Sequence, residues 1–174
     1  MELVHASFPA KQSIARKVTL LLAVRNSGSE TMPNVAVTLN SLDYVEHYPE
    51  LAANKRPIWA IERGPGRIAK PSVQSVEVAQ PGGGQTAYVN TWALGPLAPG
   101  RTRVFAWRVA PVKAGNYIVH FVVAAGLAGR SRATLASGRP VHGAFRVHIA
   151  GTPPVTHVNP STGKVEPGPF PPPA

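Results

Sequence analysis

Asp43, Glu46, His47 and Glu50 are the one group of side chains in this sequence with metal-ligating chemistry. On a continuous helix their spacing would put carboxylate oxygens and an imidazole on a single face, a donor set suited to zinc or calcium. Pro49 interrupts such a helix, and the residues before it carry no helical pattern. A solvated loop entering a helix cap is therefore the expectation, with no metal and no cofactor. A Ser–His–Asp triad could draw its acid only from Asp43, in the same unpatterned region. Paired carboxylates for glycoside hydrolysis would need two of Glu46, Glu50, Glu62 and Glu77, and nothing fixes their separation. Pro81-Gly82-Gly83-Gly84-Gln85-Thr86 lacks the lysine and the glycine spacing of a phosphate loop and reads as a β-turn. With no cysteine in the chain, thiol nucleophiles, iron–sulfur clusters and disulfides are excluded. The protein is expected not to be an enzyme.

A second group suits binding better than catalysis. His120 lies opposite in parity to Tyr117, Val119 and Phe121, and His142, Arg146 and His148 lie opposite to Phe145, Val147 and Ile149. If the two segments are neighbouring strands, three histidines and an arginine share one outer face, as a solvated surface, a pH-sensitive binding face or a two-histidine metal site. Ile118 and Val122 fall on that same face, so the strand is apolar on both sides and something should cover it.

The elements that would position these residues are strands. Val18, Leu20, Leu22 and Val24 alternate before the Asn26-Ser27-Gly28 turn, and Val35, Val37 and Leu39 alternate after it. The two are expected to form a hairpin across the loop holding Gly28 and Pro33. Val73 to Val78 and Thr86 to Leu94 give weaker strands. Arg103, Phe105, Trp107 and Val109 share one parity, as do Tyr117 to Val123 and Val141 to Ile149. Strands about ten residues apart with Gly/Pro turns predict an all-β, antiparallel immunoglobulin-like β-sandwich of about seven to nine strands. Residues 43–91 form one long irregular insertion, with a short helix at Pro49 to Ala53. Residues 1–152 are the sandwich, and 153–174, where prolines crowd, are expected to be an extended tail or linker.

Composition narrows the partners. The chain of 174 residues carries 18 Lys plus Arg against 8 Asp plus Glu, a net charge of +10. Part of that excess reflects an arginine-rich, Ala/Gly/Pro/Val-rich bias typical of a high-GC bacterial genome. A charge of this sign attracts polyanions all the same: nucleic acid, anionic lipid or an acidic wall polymer. Nucleic-acid modules interleave cations with exposed aromatics, and here Phe105, Trp107, Tyr117, Phe121 and Phe145 are committed to the core. Trp59 and Trp92, beside turn-rich segments, remain as candidate binding aromatics, and nucleic acid is not the expected partner. No apolar run reaches the ~18 residues that span a bilayer, and Met1 to Ala6 has no signal-peptide character. The chain is therefore either cytoplasmic or part of a longer protein.

Gly115-Asn116-Tyr117-Ile118-Val119 resembles the tyrosine corner of immunoglobulin-type sandwiches, with Val119 in the place of the second cysteine. Leu22-Ala23-Val24-Arg25-Asn26-Ser27-Gly28, then Met32 to Leu39, resembles the opening of bacterial surface repeats of the CARDB and conserved-repeat type. Pro96-Leu97-Ala98-Pro99-Gly100, then Phe105-x-Trp107 and Gly115-x-Tyr117, follows the order of their later half. The resemblance covers roughly residues 14–40 and 94–150. It implies structural roles for Phe105, Trp107, Gly115 and Tyr117. It also implies a non-catalytic module of a bacterial surface protein, extracellular and tethered by a membrane helix outside this chain, serving adhesion, binding or spacing. Its partner would be a protein or an anionic cell-envelope polymer, with weak self-association also open. A basic polyanion-binding module is the alternative, ahead of a metal-dependent hydrolase.

Overall fold

Alternation of apolar and polar residues determines which side of each strand is buried. The computed structural model describes residues 1–40, 42, 57–65, 91–125 and 133–169. Nine strands form two sheets: β1 (Glu2–Ser7), β2 (Lys11–Ser13), β3 (Val18–Arg25), β4 (Ala36–Asn40), β5 (Trp59–Arg63), β6 (Thr91–Ala93), β7 (Thr102–Pro111), β8 (Gly115–Ala124) and β9 (Val141–Ala150). One sheet runs β1-β3-β7-β5 and the other β2-β9-β8-β4-β6. All pairings are antiparallel except β2 with β9, which run parallel. The expected immunoglobulin-like sandwich is the architecture found.

The same-parity sets meet in the middle. Leu20, Leu22 and Val24 face Trp107, Phe105 and Arg103 across the β3–β7 ladder, and from the other sheet come Val37, Leu39, Val119, Phe121, Val123, Val147 and Ile149. Apart from Arg103 these side chains are apolar and buried in one cluster. Burying each contributes about 1.5–3 kcal/mol, so the core alone explains why no disulfide is required.

The expected hairpin between 18–25 and 35–39 does not form. β3 pairs with β1 and β7, whereas β4 pairs with β8 and β6, so the chain crosses from one sheet to the other between Arg25 and Ala36. A ten-residue link easily spans the ~10 Å between packed sheets, whereas hairpins use about two to five. The crossing lets both apolar faces enter one core.

In the N-terminal segment β1 belongs to the four-stranded sheet and β2 to the five-stranded one. Phe8, buried between them, packs on Trp59 at 5.5 Å and Phe145 at 5.9 Å between ring centroids. Of the 43–91 insertion, β5 joins the four-stranded sheet; β6, which starts at its last residue, joins the five-stranded sheet. The helix expected at Pro49 to Ala53 and the strand at Val73 to Val78 lie outside the described residues.

Within the segment expected to be an extended tail, β10 (Thr156–Val158) and β11 (Val165–Pro167) pair as an antiparallel hairpin. Asn159 builds its turn: Oδ1 accepts from the amides of Ser161 and Thr162, and Gly163, at φ +66°, donates its N–H to the Asn159 carbonyl. Its prolines fall outside the positions that must donate, so the ladder survives them.

Candidate functional site

The β8–β9 register settles how the candidate binding residues are arranged. Ile118 stands opposite Arg146, Val122 opposite His142, Asn116 opposite His148 and His120 opposite Ala144. Side chains paired across a ladder project to the same face, so His120, His142, Arg146, His148, Ile118 and Val122 share the outer face of the five-stranded sheet. Ile118 is 42% exposed and Val122 41%, and the three histidines and the arginine are exposed as well. No two histidines face each other across the ladder. His148 Nδ1 and Asn116 Oδ1 are 2.8 Å apart; since the amide oxygen only accepts, the ring carries its hydrogen on that nitrogen.

Lys11 adds another cation, standing opposite His148 in the parallel β2–β9 pairing. The five strands of this sheet contain Lys11, Arg146 and the three histidines and no Asp or Glu. The four-stranded sheet is different. There Glu2 stands opposite Arg25, and Glu62 meets Lys17 at 2.9 Å and Arg108 at 3.6 Å.

The edge where β2 meets β9 is concave. A cleft of about 560 Å³ opens there, lined by Lys11, Ser13, Arg16, Lys17 and His148 together with Pro9, Gln12, Val18 and Ala150. Buried Gln12 fixes its floor, donating from Nε2 to the Pro9 carbonyl and accepting from Trp59 Nε1, each at 2.8 Å. Sequence reasoning missed this cleft. It depends on pairing residue 11 with residue 148, and nothing local signals that contact.

Trp59 and Trp92, expected as binding aromatics, are corrected to core residues: both are almost completely buried. Trp59 packs edge-on against Tyr117 at 5.6 Å, and Trp92 edge-on against Trp107 at 5.4 Å. Both sit on short strands, too brief for an alternation to show. None of the eight described aromatics is exposed.

The residues given structural roles hold those places. Tyr117 donates its hydroxyl to the Ala114 carbonyl at 2.9 Å, and burial raises its pKa above the ordinary phenol value. Gly115 has φ +143°, and a Cβ there would come within 2.9 Å of that hydroxyl, so the corner needs glycine. Phe105 stacks on Trp107 at 5.9 Å, both fully buried.

The turn Asn26-Ser27-Gly28 proves to be more than a turn. Asn26 is fully buried; its amide donates to the carbonyls of Glu30 at 2.7 Å and Leu97 at 2.8 Å, and its Oδ1 accepts from Gly28 N–H. Its backbone N–H donates to Arg101 and its carbonyl accepts from Gly100, itself at φ +69°. The Asn-x-Gly and Leu-x-Pro-Gly stretches, far apart in sequence, are two halves of one lock.

Asp43, Glu46, His47 and Glu50 lie outside the described residues. Among the described residues no three of His, Asp and Glu come together as a metal site.

No protein-family model and no curated protein matches the sequence. Among solved structures the chain is similar to a CARDB domain from Pyrococcus furiosus, solved in complex with di-metal ions, at 12% identity and a TM-score of 0.48, covering 84% of this chain and 90% of that one. It is also similar to AvmM, which catalyses macrocyclisation in alchivemycin A biosynthesis, at 10% identity and a TM-score of 0.37, covering 86% and 87%.

Proposed function

We propose that the chain is a non-catalytic, CARDB-like module of a bacterial surface protein that binds an anionic cell-envelope polymer through the outer face of its five-stranded sheet. The observation that carries this is the make-up of that face: the cations Lys11 and Arg146 with the hydrogen-bonding rings of His120, His142 and His148, across five strands without one carboxylate. Neither Lys11 nor Arg146 makes an ion pair with a described carboxylate. Like charges left uncompensated on a sheet cost stability, and an anionic partner offsets that cost.

Ile118 and Val122, half-exposed between the cations, offer apolar contact to a polymer backbone. A nucleic acid fits less well, because single strands are held largely by stacking on exposed aromatics and the described aromatics are turned inward. A site outside the cell is part of the proposal, as is tethering through a segment beyond this chain.

Retention on immobilised polygalacturonate and polyphosphate is the test. The protein should bind both at low salt and elute as ionic strength rises, because exposed charges are screened. Passage through both columns unretained at low salt would remove this function. Digestion by protease added to intact cells tests the location, and full protection would overturn that half.

A further inference from the structure

We propose that the cleft walled by Lys11, Ser13, Arg16 and His148, where β2 meets β9, is a phosphate site that seats one phosphodiester of a base-free anionic polymer. It rests on the binding-module function proposed above and gives that function a specific anchor.

The first ground is the donor set. Lys11, Arg16 and Lys17 line the cleft with His148 and Ser13, and among the described residues no acid lines it. Lys17 is neutralised by Glu62 at 2.9 Å, whereas Lys11 and Arg16 make no ion pair with a described carboxylate. His148 has its Nδ1–H engaged by Asn116 and serves as a wall of the cleft beside Lys11, not as a donor to the anion. An ammonium, a guanidinium fork and a hydroxyl around a concavity suit an anion with oxygens in several directions. A planar carboxylate is served by one arginine alone.

The second ground is that the backbone carrying these donors is held on both sides. Ile14 N–H donates to the Ala150 carbonyl of the five-stranded sheet at 3.1 Å, and the next amide, Ala15 N–H, donates to the Pro111 carbonyl of the four-stranded sheet at 2.8 Å. Arg16 N–H closes the turn onto the Ser13 carbonyl at 3.2 Å. Between these bonds Ala15 takes φ +64°, a left-handed conformation costly for a residue with a Cβ. The turn that delivers Arg16 is thus bolted across the sandwich edge, and Gln12 fixes the floor beneath Lys11 through Trp59. Donors on a rigid frame lose little entropy when an anion arrives.

The experiment follows backbone amide shifts during titration with inorganic phosphate and measures affinity for a synthetic glycerol-phosphate oligomer, in the wild type and in a K11Q–R16Q variant. Both residues are exposed, so the variant should melt as the wild type does. Saturable shifts confined to residues 11–18 and 148–150, and a loss of about tenfold or more in oligomer affinity, are expected for removal of two charge-assisted contacts. Equal oligomer affinity in the variant, or no localised shift with phosphate, overturns the site. If the wild type still binds polygalacturonate and the oligomer alike while K11Q–R16Q changes neither, polymers bind the sheet face around Arg146 without Lys11, and the cleft is wrong. If the wild type binds no polymer but phosphate shifts the cleft amides, the polymer function fails and the phosphate site stands. Single-stranded DNA bound through the cleft more tightly than the oligomer would overturn the commitment to a base-free polymer.

Discussion

Polar groups at two places in this sandwich have opposite fates. At the loop end around Asn26, each polar atom of a fully buried side chain has a partner: Glu30, Leu97 and Gly28 through the amide, Arg101 and Gly100 through the backbone. On the outer face and edge of the five-stranded sheet, Lys11, Arg16 and Arg146 have none among the described carboxylates. Satisfied polar groups specify a fold, because breaking them strands a partner without water. Uncompensated exposed cations add nothing to the fold and remain available to a ligand. The four-stranded sheet carries both signs: its Glu62 serves Lys17 and Arg108, while Arg63 makes no ion pair with a described carboxylate.

The sharpest way to break this contrast is Asn26→Ala. It leaves the Leu97 carbonyl without its donor and removes the Glu30 and Gly28 bonds, a loss of about 3 kcal/mol. Denaturant melts should show that loss, with polymer affinity in the folded fraction unchanged. A drop in affinity as large as the drop in stability would mean that the two regions are not separable.

A charge reversal on each sheet tests the other side. Arg146→Glu places an acid on the acid-free face and should weaken polymer binding about tenfold, equivalent to about 1.4 kcal/mol. Arg108→Glu removes an exposed ion pair and should cost well under about 1 kcal/mol of stability, with binding unchanged. Equal losses of binding from both would point to net charge in place of a face.

The outer face was legible in the sequence because parity alone sorts the side chains of a strand, and Tyr117 to Val123 and Val141 to Ile149 are long enough to show it. Gly115-x-Tyr117 was legible too, since the folded-back phenol leaves no room for a Cβ. Sheet membership was not. Val18 to Arg25 and Val35 to Leu39 look like one hairpin because alternation is the same whether a strand turns back or crosses over. Trp59 shares parity with Ile61, a weak sign of its burial that a three- or five-residue strand hardly reveals. Asn159-Pro160-Ser161-Thr162-Gly163 held a turn that the surrounding prolines masked. The cleft had no local signal, because its two sides are 137 positions apart in the chain.

Tyr117→Phe sharpens the contrast at an inward-facing group of the five-stranded sheet. Removing the hydroxyl bond to Ala114 should cost about 1 kcal/mol. The wild type has a further signature. Burial raises the folded pKa of this phenol above 10.0, so above that pH the native state holds its proton where the unfolded chain has lost it. The stability tied to this proton is complete below pH 10.0 and is lost as pH rises through the raised folded value. Stability of the wild type should therefore fall on the alkaline side more steeply than that of Tyr117→Phe. Parallel alkaline limbs would sink the link.

The smallest effect is expected at Ala15, where the two regions' logics meet. Glycine relieves the left-handed strain at φ +64°, worth about 1 kcal/mol, but gives back part of that as greater freedom of the unfolded chain. The net gain should be about 0.5 kcal/mol, a rise in Tm of about 1–2 °C. The amides of Ile14, residue 15 and Arg16 keep their acceptors in the variant, so phosphate should still find Arg16 in place. A fall in phosphate affinity alongside the rise in Tm would show that the Cβ itself helps hold the turn, and that strain at this edge serves the ligand more than the fold. Unchanged affinity with higher stability would assign the positioning of Arg16 to the hydrogen bonds across the two sheets alone.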